Sequence, residues 1–167
     1  AVSKIVDRMK SPDPRRRKSG VASLGVISEG CAEKLQEHLG DLMPGLLAAG
    51  KDNDSHVREC ACFALSQFAE HCQPDIIEYA QDILPVVFGL LDDPSVSVQT
   101  TSCYVLEMFC EHLEPKSIVN ILDALVRKLV SMLERATRRC VREMAVAAIA
   151  AVAIAAEKVS GVSERGK

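Results

Sequence analysis

Cys60 and Cys62 stand two apart, His71 adjoins Cys72, and His38, His56 and His112 complete the side chains whose types suit metal ligation or nucleophilic chemistry. The spacing argues against both uses. Residues two apart on a helix point in nearly opposite directions, so Cys60 and Cys62 do not share one ion easily. His71-Cys72 falls in register with Gly30-Cys31 and with His112-Leu113, which marks a packing column and not a Cys/His nucleophile pair. His38 and His56 have no base-orienting partner in sequence. No phosphate loop, nucleophile elbow or paired catalytic carboxylates is present. No catalytic, metal or cofactor-binding residue is therefore expected, and the chain does not read as an enzyme.

A second set of charged residues is more regular. FALSQFAEH (Phe63–His71) returns as YVLEMFCEH (Tyr104–His112), and Glu29, Glu70 and Glu111 stand 41 and 41 residues apart. The period runs through the chain: Leu24, Leu65 and Leu106 are 41 apart, with Ile149 43 further on, and Ile27, Phe68, Phe109 and Val152 keep the same spacing. Arg17, Arg58, Gln99 and Arg142 form another column, and Asp41, Asp82 and Asp123 a third. Repeats of this length are the signature of a stacked array.

The elements that carry these columns are helices. In DIIEYAQDILPVVFGLLDD the apolar residues Ile76, Ile77, Ala80, Ile83, Leu84, Val87, Leu90 and Leu91 follow the spacing of one helix face, and VSVQTTSCYVLEMFCEHL does the same through Val98, Ser102, Val105, Leu106 and Phe109. The turns DNDS and DDPS between the two patterns supply residues that cap a helix start. Two helices in about 41 residues place the unit in the armadillo and HEAT range. The reading predicts an all-α solenoid of seven to eight antiparallel helices in a right-handed superhelical stack. It comprises residues 1–160, with a partial repeat at 1–30, repeats at 33–72, 75–113 and 117–159, and a tail at 161–167. Each unit has an A helix and then a B helix. KDNDSHVRECACFAL carries the turn residues Asp52 and Arg58, and Asp93 opens the equivalent turn one repeat on. Ser11 replaces the Asp in the first copy and Gln99 the Arg in the third, so a continuous Asp-to-Arg ladder is not expected.

Composition agrees. Hydrophobic residues make up 48% and aromatics only 4% of 167 residues, with no Trp, so the core is aliphatic and favours packed helices. The net charge of −3 speaks against nucleic acid and for a basic partner. Seven cysteines, an odd number in a chain of this size, suit a reducing compartment. The longest apolar run, Met144 to Ala156, is too short to span a membrane and reads as a buried Ala-rich helix. The chain opens on AVSK without Met and is expected to be a piece of a longer protein. On that reading the face of the last helix abuts a further repeat, and exposing it favours self-association.

LGVISEGC, FALSQFAEHCQPDI, DILPVV and YVLEMFCEHLEP resemble the middle HEAT repeats of the β-karyopherin (importin-β family) nuclear import receptors, most closely the importin-4 branch, over roughly residues 5–157. The resemblance implies a cargo carrier that shuttles between cytoplasm and nucleus. Its expected partners are basic proteins such as core histones and ribosomal proteins, Ran-GTP, and phenylalanine-glycine nucleoporins of the pore. No direct nucleic-acid or membrane contact is implied. Nucleoporin segments enter grooves between neighbouring A helices in this family. Ile76, Tyr79, Val86 and Phe88 could border one, but nothing in the sequence separates such a groove from ordinary packing.

B helices line the concave face of such a stack. On the first full B helix, Val57, Ala61, Ala64, Leu65 and Phe68 form the buried stripe, which leaves Glu59, Phe63, Ser66 and Glu70 opposite. The next layer offers Thr100, Tyr104, Glu107 and Glu111. The candidate cargo-binding set is therefore Glu29, Glu59, Phe63, Glu70, Tyr104, Glu107 and Glu111. Carboxylates beside aromatic rings suit Lys and Arg through ion pairing, stem packing and cation–π contact. The competing reading keeps the glutamates as solvated surface and Phe63 and Tyr104 as packing residues, in a HEAT scaffold such as a phosphatase-scaffold-like subunit. The basic groups Arg15–Lys18 and Arg135/Arg138/Arg139/Arg142 stand at helix starts, where cations oppose the dipole. They read as a solvated rim or as partners of an acidic loop outside this chain.

Overall fold

Apolar residues three and four apart, cut by capped turns, give the chain α1 (Val2–Met9), α2 (Pro14–Gln36), α3 (Leu39–Ala49), α4 (Ser55–His71), α5 (Ala80–Leu90), α6 (Val96–His112), α7 (Pro115–Arg135) and α8 (Arg139–Ser163). A short 3-10 helix, Asp75–Tyr79, leads into α5. This computed structural model describes residues 2–112 and 115–163; Leu113 at the edge of one expected repeat and the last four residues of the expected tail lie outside them. Among the described residues there is no strand. Residues 161–163 continue α8 instead of starting the tail, since Gly161 alone costs an Ala-rich helix only about 1 kcal/mol.

The B helices α2, α4, α6 and α8 pack successively on one another, while α1, α3, α5 and α7 pair with them as A helices; neighbouring A helices touch much less. The stack is an all-α solenoid. Its core runs along the axis: Leu24, Leu65 and Phe68, Leu106 and Phe109, and Val152 are buried layer by layer. Val57, Ala61, Ala64 and Leu65 are buried as the helix spacing predicts.

Local sequence explains the irregular places. Asp13 and Asp54 cap α2 and α4, each accepting the N–H two residues ahead at 2.9 Å. Cys31 departs from helical geometry (φ −134°, ψ 23°), so the long α2 bends where its B segment ends. Pro44 and Pro85 lie inside α3 and α5, five residues after each helix begins. A proline cannot donate to the carbonyl four residues back and crowds it, so regular helix is short on its N-terminal side in both repeats.

Two expectations change. Ser66 is buried, not exposed, and its hydroxyl donates to the Phe63 carbonyl at 2.8 Å. Successive B helices cover both flanks of α4, so its open stripe is narrower than one-sided burial implies. The Ala-rich α8 is not fully buried either. Ala145, Ala148, Val152 and Ala155 face the core, whereas Val146 is 52% and Ile154 58% exposed.

Candidate protein-binding surface

Four of the seven candidate residues converge. Tyr104 on α6 is half-buried, and its phenol is held above its ordinary value by burial and by the negative charges of Glu70, Glu107 and Glu111. Glu70 belongs to the preceding B helix, so the carboxylates and the ring share one patch across two layers. The rim stays open: Glu70 and Glu111 are exposed. Glu70 accepts from Gln67 at 3.4 Å and lies 3.9 Å from His71 Nε2. Glu111 lies 4.0 Å from His112 Nε2. His112 is exposed, so it is no packing residue as the register suggested; His71 is half-buried.

Phe63 has a different role. A β-carbon built on Gly25 of α2 would fall 2.5 Å from Phe63 Cε1, so the ring sits on the glycine of the preceding layer and remains 36% exposed. Glu29 is exposed one turn beyond that glycine, close to the bend at Cys31. Glu59 does not join the cluster. It lies eleven residues before Glu70 on α4, about 16 Å along the axis, and its carboxylate is 3.8 Å from His56 Nδ1.

The patch continues into a groove of about 300 Å³ in which Glu107, Cys110 and Glu111 face Ala147, Ala150, Ala151 and Ile154 of α8. Sequence reasoning missed this floor. The signal was the run of alanines, whose small side chains let a groove form as readily as a tight helix contact. On the A-helix side, Leu84, Pro85 and Phe88 of α5 and Ile121 and Ala124 of α7 line an apolar groove of about 290 Å³. Of the four A-helix residues considered for such a groove, Phe88 borders it, while Ile76 and Val86 are buried.

The turn residues act between layers. Arg17 reaches Asp52 with two hydrogen bonds of 2.7 and 2.9 Å, and Arg58 reaches Asp93 with 2.6 and 2.9 Å. Each guanidinium also donates to two carbonyls of its own turn, Arg17 to Ser11 and Pro12 and Arg58 to Asp52 and Asn53. Each carboxylate accepts a backbone N–H two residues ahead, from Asp54 and Ser95. The Arg17 hydrogen bonds outweigh burial and hold the Asp52 carboxyl below its ordinary range. Burial pushes Asp93 up, but Arg58 and the Ser95 N–H together hold it below its ordinary value. Gln99 only turns back to the Asp93 carbonyl at 2.8 Å, and there the ladder stops. Asp92 takes over at that junction, bound by Lys128 and, at 3.0 Å, by Arg135; the Lys128 ammonium also lies 4.7 Å over the Phe88 ring.

The basic groups are thus only partly a rim. Arg17 and Arg135 link layers, Arg139 pairs with Glu143 within α8, and Arg15 and Arg16 are exposed. All seven thiols are free. Burial pushes Cys62 and Cys103 up to about 12 and Cys72 to about 11, which leaves them packing groups without nucleophilic character at neutral pH. Among the described residues no group of three His, Cys, Asp or Glu could hold a metal ion, and no helix is long and apolar enough to cross a membrane.

A profile for HEAT-like repeats matches residues 14–68, and one described as stalled ribosome sensor GCN1-like, HEAT repeats, matches residues 42–161. Comparison with curated protein sequences returns no match. Among solved structures, the crystal structure of Kap121p superposes with a TM-score of 0.87 at 25% identity, over 94% of this chain and 15% of that one. Kap121p bound to RanGTP gives 0.86 and 25%, over 93% and 15%. The karyopherin Kap121p bound to the extreme C-terminus of the protein phosphatase Cdc14p gives 0.85 and 26%, over 92% and 15%. The chain therefore spans about 15% of the length of the karyopherin chains it matches. With the second profile covering well over half of its residues, the chain belongs to the HEAT-repeat family, among the GCN1-like HEAT repeats, and its solenoid closely matches a stretch of the karyopherin Kap121p.

Proposed function

We propose that the chain is part of a nuclear transport receptor and that the concave surface of its B helices binds a basic segment of cargo. The observation that carries this reading is the patch of Glu70, Tyr104, Glu107 and Glu111, where three carboxylates from two layers lie near enough to one half-buried phenol to help raise it. Glu29 and Phe63 extend it toward the preceding layer, and Glu59 stands apart at the other end of α4. A lysine or arginine laid there gains ion pairs while its aliphatic stem covers Tyr104 and the alanine floor of α8. Each exposed pair contributes only about 0.2–1 kcal/mol, so affinity comes from repetition along the stack. The ladder residues Asp52, Arg58 and Asp93 keep that repetition in register.

The structural relatives support the wider reading, since Kap121p structures are described as bound to Nup53p, to Pho4p and to RanGTP. By extension, the parent protein belongs to the importin-4 branch, carries histones or ribosomal proteins, releases them to Ran-GTP, and shuttles between cytoplasm and nucleus. Its α5/α7 groove is the place for a phenylalanine-glycine nucleoporin segment. The match to GCN1-like HEAT repeats favours a second reading, a scaffold whose partners are folded proteins and whose glutamates are surface.

Fluorescence anisotropy of a labelled Lys/Arg-rich histone-tail peptide separates the two. Binding that weakens from low to near-physiological salt, and that is lost in Glu70→Lys/Glu111→Lys, is the expected result. Equal binding to wild type and variant, or none to either, moves the scaffold reading ahead.

A further inference from the structure

Each turn that opens a B helix is built to one plan. Three residues before the first helical residue stand Ser11, Asp52, Asp93 and Ala136, and three residues after it stand Arg17, Arg58, Gln99 and Arg142. At two junctions the arginine of one layer holds the aspartate of the next. Between α6 and α8 donor and acceptor are replaced together: Gln99 folds back on its own turn, and Ala136 has no carboxylate to offer.

A cleft of about 270 Å³ occupies the place of the missing pair. Its walls are the Leu91–Val96 side of one turn, Gln99, and Met132, Arg135, Thr137, Arg138 and Val141 of the next. Asp92 and the cations Arg135 and Arg138 line this cleft, and Lys128 reaches Asp92 from beside it. Lys128 and Arg135 are engaged with Asp92, whereas Arg138 is exposed and has no ion-pair partner among the described residues. Arg138 also precedes the start of a 25-residue helix, where a cation opposes the dipole and an anion is favoured.

We propose that this cleft binds a carboxylate side chain of an acidic protein segment, seated where Asp52 and Asp93 sit at the other two junctions and held by Arg138 with help from Arg135 and Thr137. The partner is of opposite charge to the concave cargo, and the site lies at the rim of the stack, so the two surfaces act independently. A carboxylate, and not a phosphate, is the natural occupant because the two filled junctions hold an aspartate in bidentate contact with a guanidinium.

The test is anisotropy of a fluorescein-labelled Asp/Glu-rich peptide of about eight residues, titrated with the intact chain at about 50 and 150 mM salt. The matching Asn/Gln peptide and a single-stranded oligonucleotide of equal charge serve as comparators. The acidic peptide should bind at low salt and weaken at high salt, and the amide peptide should not bind. Arg138→Glu should weaken binding about tenfold or more. Gln99→Arg/Ala136→Asp, which rebuilds the missing pair and fills the cleft, should abolish binding while circular dichroism reports an intact helical fold. No binding to wild type at low salt, or undiminished binding by both variants, overturns the proposal. So does an oligonucleotide that competes more strongly than the acidic peptide and depends on Arg138.

Discussion

Arg58→Ala is the most informative single perturbation of the stack. It removes two hydrogen bonds to Asp93 and two to the carbonyls of Asp52 and Asn53, and leaves the Asp93 carboxylate with the Ser95 N–H as its remaining described hydrogen bond. The side chains of this pair are only 13% and 6% exposed, so water does little to relieve the abandoned charge. Breaking a buried pair from one side costs roughly 3–5 kcal/mol, and the partial exposure of Arg58 places the expected loss near the lower end, about 3 kcal/mol. In a chain of this size that lowers Tm by roughly 6–12 °C. Gln99→Ala is the internal control. Its amide makes one neutral hydrogen bond, to the Asp93 carbonyl, worth about 1 kcal/mol. Urea denaturation followed by circular dichroism should rank the two variants accordingly, and Arg58→Ala/Asp93→Ala should cost clearly less than the sum of the single changes. If Arg58→Ala costs no more than Gln99→Ala, or if the double variant is additive within about 0.5 kcal/mol, the pair is not a stabilising link between layers.

Three further outcomes follow from the geometry. Asp52, Asp92 and Asp93 all have carboxyls held below their ordinary value in the folded chain, so their stabilisation is present above about pH 4 and is lost as pH falls through the lower folded values; a urea midpoint unchanged from pH 7 to pH 3 would contradict this. Gly25→Ala drives a β-carbon into the Phe63 ring and should destabilise the chain by about 1–3 kcal/mol, most of it recovered when Phe63→Ala is added; an unchanged midpoint means the ring is free to leave its seat. In a Tyr79→Phe background, ultraviolet titration should find the Tyr104 phenol ionising above its ordinary range, and Glu70→Gln/Glu111→Gln should bring it down. No response to the double change removes those carboxylates from the tyrosine's surroundings.

The solenoid was legible in the sequence because its cause is local and repeated: Leu24, Leu65 and Leu106 recur at one period, and each copy buries the same face. Contacts between copies were harder to read. Asp52 and Arg58 sit six residues apart in one turn, yet Arg58 holds the carboxylate of the next turn and gives Asp52 only a contact to its carbonyl. The seat of Phe63 on Gly25 joins residues 38 positions apart, and a glycine inside a helix looks the same in sequence whether or not a ring rests on it. Glu59 was grouped with Glu70 because helical spacing sorts residues by face and says little about position along the axis. The alanines of α8 fitted a buried helix equally well, since a small side chain carries no mark of which neighbour it meets.

The halted ladder also bears on how the stack comes apart. Like units in a row unfold as coupled steps, and the coupling at each junction decides whether neighbours melt together or one at a time. Two junctions share a bidentate guanidinium–carboxylate link between successive turns, whereas at the third the turn is fastened to α7 alone, by the pairs of Asp92 with Lys128 and Arg135. The last pair of helices is therefore expected to part first as denaturant rises, with the break in cooperativity falling at Gln99.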